Sequence, residues 1–129
     1  MAVEVHLVTP EREVWSGQAT QVIARGVDGE LGVLAGHAPL LIQLAIGPLR
    51  IQQENGEWLV AVVDGGFFHV STEDGSTRAD VLATHAELED EIDIEAARRA
   101  VLGSEGADDD DVDAQVRLAR AQARVNLAG

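Results

Sequence analysis

From Leu31 to Leu49 the chain carries no charged residue. A run of that length suggests a membrane-spanning helix, but its contents exclude one. Gly32, Gly36, Pro39, Gly47 and Pro48 interrupt it, and His37 and Gln43 sit inside it. Each breaker would free backbone groups that lipid cannot satisfy. As sheet the same residues make sense. Residues 30–34 read as a short strand, 35–39 as a turn and 40–45 as a buried strand. Gly47 and Pro48 then mark the turn into the next strand.

The residues before and after continue in the same pattern. Val3, Val5 and Leu7 alternate with Glu4 and His6, as in a half-buried strand. Val14 and Trp15 open a second strand, which Gly17 bends into another over 19–24. Turns are expected at 26–29, at Asn55–Gly56, at 64–66 and at 73–75. Asn55–Gly56 suits a type I′ hairpin, because both residue types tolerate positive φ. Strands over 49–53, 58–63, 67–71 and 78–83 complete the set. Turn signals this regular point to a β-sandwich or barrel.

Beyond Ala86 the composition changes: ten of the thirteen glycines lie before that residue. The C-terminal remainder is rich in Ala, Arg, Asp and Glu, which form helices and not hairpins. Asp93 is placed to N-cap a helix over 94–102, with Ile94, Ala97 and Val101 on one face. A break at 103–106 precedes a second helix that begins in the acidic run Asp108 to Asp111 and ends near Leu127. Its expected apolar stripe is Val112, Val116, Ala119, Ala123 and Leu127. Arg117, Arg120 and Arg124, three and four apart, share another edge. Two helices with mostly Ala and Val faces form a weakly packed hairpin, able to change partners.

Composition narrows the functional classes. With no cysteine, disulfides, thiolate metal sites and cysteine nucleophiles are excluded. Aromatics are 3% of residues, so the core must be aliphatic. Net charge is −14 and all nine basic residues are Arg, so nucleic acid is not an expected partner. The N-terminus has neither a basic start nor a long apolar run, so a cytosolic protein is expected, at a membrane only through its partners. His6, His37, His69 and His85 are too scattered for a local metal motif. The acidic run with Asp113 lacks the glycine and glutamate of a calcium loop. Gly29, Gly32 and Gly36 lack phosphate-loop spacing, and no serine has a histidine beside it in sequence. No catalytic constellation is expected.

One segment carries a resemblance. GELGVLAGHAPLL, from Gly29 to Leu41, is similar to the GELG-(I/V)-x-x-GHxPL signature of the epsilon subunit family of F-type ATP synthases. VTP at Val8, VWSG at Val14, GPLRI at Gly47, GGF at Gly65, VLA at Val81 and EID at Glu91 support it in order. The resemblance implies an N-terminal sandwich of about ten strands over residues 1–86 and a helix-turn-helix over 87–129. It implies a rotor subunit without chemistry of its own, bound to the gamma subunit and the c ring. Such a subunit would lie at the cytoplasmic face of the cell membrane. Its helices would reach the alpha/beta catalytic head and brake ATP hydrolysis. Glu30 and His37 would then face the c ring, and Arg117, Arg120 and Arg124 would contact the head. The family's nucleotide motif, Ile/Leu-Asp-x-x-Arg-Ala, is met by Ile92, Asp93 and Ala97, but Ala96 stands where the Arg belongs. No cofactor is expected. Asp93, Arg98 and Arg99 are the nearest candidates for ATP.

Overall fold

The computed structural model describes residues 2–104 and 111–128, without the side chain of Ser104. The expected helix start at Asp108 to Asp110 lies outside the described residues. Seven strands are present among them: β1 (Val3–Val8), β2 (Glu13–Gly26), β3 (Gly29–Leu34), β4 (Leu40–Gln53), β5 (Trp58–Glu73), β6 (Ser76–Ala83) and β7 (Ala86–Leu88). Pairing runs β1-β6-β5-β4-β2, and β2 also pairs with β1, so the ladder closes on itself. β3 adds to β2 and β7 adds to β5. β1 lies parallel to β6, and every other pairing is antiparallel.

The strand count is lower than the ten expected because three strands run through their anticipated breaks. β2 continues past Gly17, β4 past Gly47–Pro48 and β5 past Gly65–Gly66. Each changes partner or register on the way. β2 pairs with β1 up to Ala19 and with β3 from Gln21; β5 pairs with β7 around Val62 and with β6 from Gly66. The long strands thus bend from one layer of a flattened sandwich into the other. Glycine permits the bend. Gly66 has φ +124, and a Cβ there would collide with the Leu82 carbonyl oxygen, so no other residue fits.

The tight turns also differ in kind. At Asn55–Gly56 only Gly56 has positive φ. Asn55 instead accepts a hydrogen bond on Oδ1 from the Glu57 N–H (2.9 Å), and Gln53 N–H donates to the Glu57 carbonyl (2.8 Å). Local satisfaction of the Asn side chain wins over the type I′ geometry. Positive φ at both loop positions occurs at Asp74–Gly75.

The core is aliphatic, as composition requires. Val3, Val5, Leu7, Val22, Val33, Leu49, Ile51, Val63, Val70 and Val81 are fully buried around one aromatic, Phe68. β1 shows the expected alternation, with Val3, Val5 and Leu7 inward.

After β7 the chain makes a 3₁₀ turn at Glu89–Glu91 and enters α1 (Ile94–Ser104). The expected boundary at 86/87 falls inside β7, which continues the sandwich to Leu88. Asp93 caps α1, its Oδ1 accepting from Ala96 N–H at 3.0 Å. Asp111 caps α2 (Val112–Ala128) in the same way through Ala114. The helices pack on each other, and α2 rests on β4 and β5. The apolar stripe expected for α2 is only part of its packed face, with Val116, Ala123 and Leu127 half-buried. Val112 and Ala119 are exposed, and Ala114 and Ala121 are buried. Small residues allow close approach to α1 and the sheet, and that requirement outweighs hydrophobicity here.

Candidate functional site

The hairpin meets the sandwich at a charged junction. β5 delivers Asp64 between Val63 and the two bending glycines, and its side chain is only 2% exposed. Arg124 of α2 reaches it in a bidentate fork, Nη1 to Oδ1 and Nη2 to Oδ2, both 2.9 Å. The same guanidinium donates through Nε to Glu87 Oε1 of β7 and through Nη1 to the Arg120 carbonyl at 3.0 Å. Arg120 stands 3.9 Å from Asp64, and His85 stands 3.8 Å from Glu87. The Asp64 backbone is fixed as well: its N–H donates to the His85 carbonyl, and its carbonyl accepts from Thr84 Oγ1. Burial opposes the charge on Arg124, but the hydrogen bonds to Asp64 and Glu87 outweigh it and its pKa is raised. The arrangement is a buried, fully bonded ion cluster joining α2 to two strands.

Beside it lies a cleft of about 550 Å³ whose apolar wall is alanine, Ala96, Ala97, Ala100 and Ala121. Arg117, Arg120 and Arg124 face Asp64, Glu87 and Asp93 across it, so three cations meet three carboxylates. Of the nucleotide candidates only Asp93 lines this cleft, and its Oδ1 is the α1 cap. Arg98 turns away to Glu95 (3.0 Å), and Arg99 is exposed on α1. The three arginines of α2 share one face, and it is turned toward the junction cleft. Arg124 is drawn into the sandwich by Asp64, its side chain 12% exposed, while Arg117 and Arg120 remain at the cleft mouth.

Glu30 and His37 sit near opposite ends of β3. Glu30 is exposed within β3, opposite Arg25. His37 lies in the following loop, held by its N–H to the Leu34 carbonyl (3.1 Å) and by Thr72 Oγ1 donating to its carbonyl (3.4 Å). They are not brought together. A second tether spans the sandwich and the 3₁₀ turn. Arg12 donates to Glu91 Oε1 at 2.9 Å, and the same oxygen accepts from Leu88 N–H. Those two hydrogen bonds, Arg12 first, hold the Glu91 carboxyl below its usual pKa.

Sequence patterns do not single out Asp64 and Glu87 as site residues. The available signal is the acid itself: in AVVDGG, Asp64 is one charge at the end of an apolar strand, which is rare unless paired.

Residues 2–89 match the model of the ATP synthase delta/epsilon chain beta-sandwich domain. The chain belongs to the ATP synthase epsilon chain family. It is 44% identical over 127 residues to the epsilon chain of Thermobifida fusca, covering 96% of this chain and 90% of that one. It is 43% identical over 122 residues to that of Chromohalobacter salexigens, covering 92% and 86%. Among solved structures, it superposes on a chain of the Euglena gracilis mitochondrial ATP synthase, OSCP/F1/c-ring, with TM-score 0.80 and 26% identity, covering 95% and 78%. A chain of the Tetrahymena thermophila central stalk and c-ring shares the fold, with TM-score 0.58 at 20% identity and coverage of 98% and 93%. Among the described residues no helix is long and apolar enough to cross a membrane.

Proposed function

We propose that this chain is the central-stalk epsilon subunit of a proton-translocating F-type ATP synthase. It does no bond chemistry. It couples rotation of the c ring to the catalytic head through the gamma subunit, at the cytoplasmic face of the membrane. The observation that carries this is the near full-length identity to epsilon chains, with a close structural counterpart inside an F1/c-ring assembly.

The sandwich offers a docking face of suitable chemistry. Phe67 of β5 and Leu82 of β6 are register partners and are 49% and 50% exposed. Leu41 of β4 is 64% exposed and stands opposite His69, diagonal to Phe67. Large apolar side chains gathered on one outer sheet face suit a protein partner, and gamma is the partner assigned to it. The sandwich, through Leu88 at the end of β7, acts as the rigid body and the helices beyond it as the movable part. The hairpin, held by the Arg124 cluster, is the brake on hydrolysis when released toward the alpha/beta head.

The test is co-purification. The tagged chain should retain gamma and the c ring. Phe67→Asp should stay folded and lose gamma at least tenfold, as expected for a charge placed in an apolar interface. If the native chain retains no ATP synthase subunit, the reading fails. A nucleotide sensor is the weaker alternative. Bound ATP would have to displace carboxylates from Arg120 and Arg124, since the junction cleft has no excess positive charge. Absence of calorimetric heat with millimolar ATP removes it.

A further inference from the structure

The charge of this protein is overwhelmingly negative, and its clefts reflect that. Carboxylates line the junction cleft and those beside Trp58 and Thr9. A cleft of about 340 Å³ on the neighbouring face of α2 differs. Its polar residues are Arg25, Arg50, Gln122 and Asn126, and no Asp or Glu is among its lining residues. Pro48 and Leu127 contribute apolar wall.

Both arginines lack a partner among the described residues, neither hydrogen bond nor ion pair. Arg25 faces Glu30 in register, yet its side chain lies elsewhere. It crosses Gly47: a Cβ on that glycine would stand 3.2 Å from Arg25 Cδ and 3.4 Å from Nη1. The placement follows from the ladder. Ala24 pairs with Leu49 and Gly26 with Leu44, so Arg25 occupies the irregularity between them and falls over the β4 backbone. Arg50 stands opposite Ile23, its side of β4 facing the same cleft. On α2, Gln122 Nε2 donates to Asn126 Oδ1 at 3.0 Å. That bond occupies the Asn126 carbonyl and leaves its NH₂ as a donor.

We propose that this cleft is an oxyanion site, in which Arg25 and Arg50 hold a phosphate-class anion and Asn126 supplies a further donor. Two unpaired guanidiniums on adjacent strands repel each other, and a shared oxyanion removes that repulsion through charge-assisted hydrogen bonds. The anion would touch both the sheet and α2, so by linkage it stabilises the docked hairpin. The phosphate can be free or carried by a nucleotide. The site stands whether or not the chain occupies the stalk.

The experiment titrates inorganic phosphate, and separately ATP, into the full chain at low ionic strength, following the arginine Nε–Hε NMR signals. The expected result is that Arg25 and Arg50 shift together along one saturating curve. Arg25→Ala and Arg50→Ala should each weaken binding about tenfold, the loss of one charge-assisted contact. Gly47→Ala keeps both charges but crowds Arg25, and should weaken it severalfold; Arg78→Ala, on another sheet face, should not. If ATP saturates these two signals at lower concentration than phosphate, the nucleotide is the ligand; the reverse order selects free phosphate. Signals of Arg25 and Arg50 that stay still, or variants that bind like the native chain, overturn the proposal.

Discussion

The two halves of this protein are held together by different forces. Inside the sandwich, Leu7, Leu49, Ile51 and Phe68 are fully removed from water, and cohesion there is apolar and non-directional. Where the hairpin meets the sandwich, the buried residues of the helices are Ala97, Ala114 and Ala121, which release little apolar surface. Docking instead depends on direction and charge, through Arg124 with Asp64 and Glu87 and Arg12 with Glu91. A region held by area resists small displacements everywhere. A region held by a few directed contacts is lost when those contacts open. The expected outcome is a hairpin that detaches while the sandwich stays folded.

Three measurements test this contrast. The largest effect is expected at Phe68→Ala, which empties the centre of the core and should lower global stability by about 3–5 kcal/mol. Denaturant unfolding should show it as one cooperative transition; a loss confined to the helices would overturn the division. Next is Asp64→Ala. Removing one partner of a buried pair costs roughly 3–5 kcal/mol, and Glu87 as a remaining partner puts the value near the lower end. The loss should appear as faster hydrogen exchange and proteolysis in α2, with β1 to β6 still protected. Global unfolding instead would mean that the junction is part of the core.

The smallest effect concerns pH. Glu91 has its folded-state pKa lowered by Arg12 and the Leu88 N–H. Its contribution is therefore fully present above the ordinary glutamate value and is lost as pH falls through the lower folded value. A difference in melting temperature between the native chain and Glu91→Gln should exist at pH 7 and shrink toward zero below that window. A difference that is constant down to pH 2 would remove Glu91 as a tether.

Local signals in the sequence are legible where physics is local. Alternation in β1, the turn at 26–29, the Asp93 cap and the switch from sheet to helix near Ala86 all follow from near neighbours. The features that cannot be read depend on residues far apart. Gly47–Pro48 and Gly65–Gly66 look like turns, but bends inside a closed ladder use the same residues as turns between strands. The parallel pairing of β1 with β6 joins distant parts of the chain and leaves no mark in either strand. The buried face of α2 escapes periodicity for the same reason, because Ala121 is chosen by the surface it meets. The arginines of α2 are visible as a set, but only the fold shows that Arg124 points inward to Asp64.

The strands that pass through both layers have a mechanical consequence. β5 is 16 residues long, a contour of about 50 Å at the usual rise. A pull along it is resisted by many ladder hydrogen bonds loaded in parallel, as in shear, and not one at a time as in unzipping. The two layers also share these strands covalently, so they cannot slide apart without stretching backbone. Stiffness along that direction is thus set by covalent continuity.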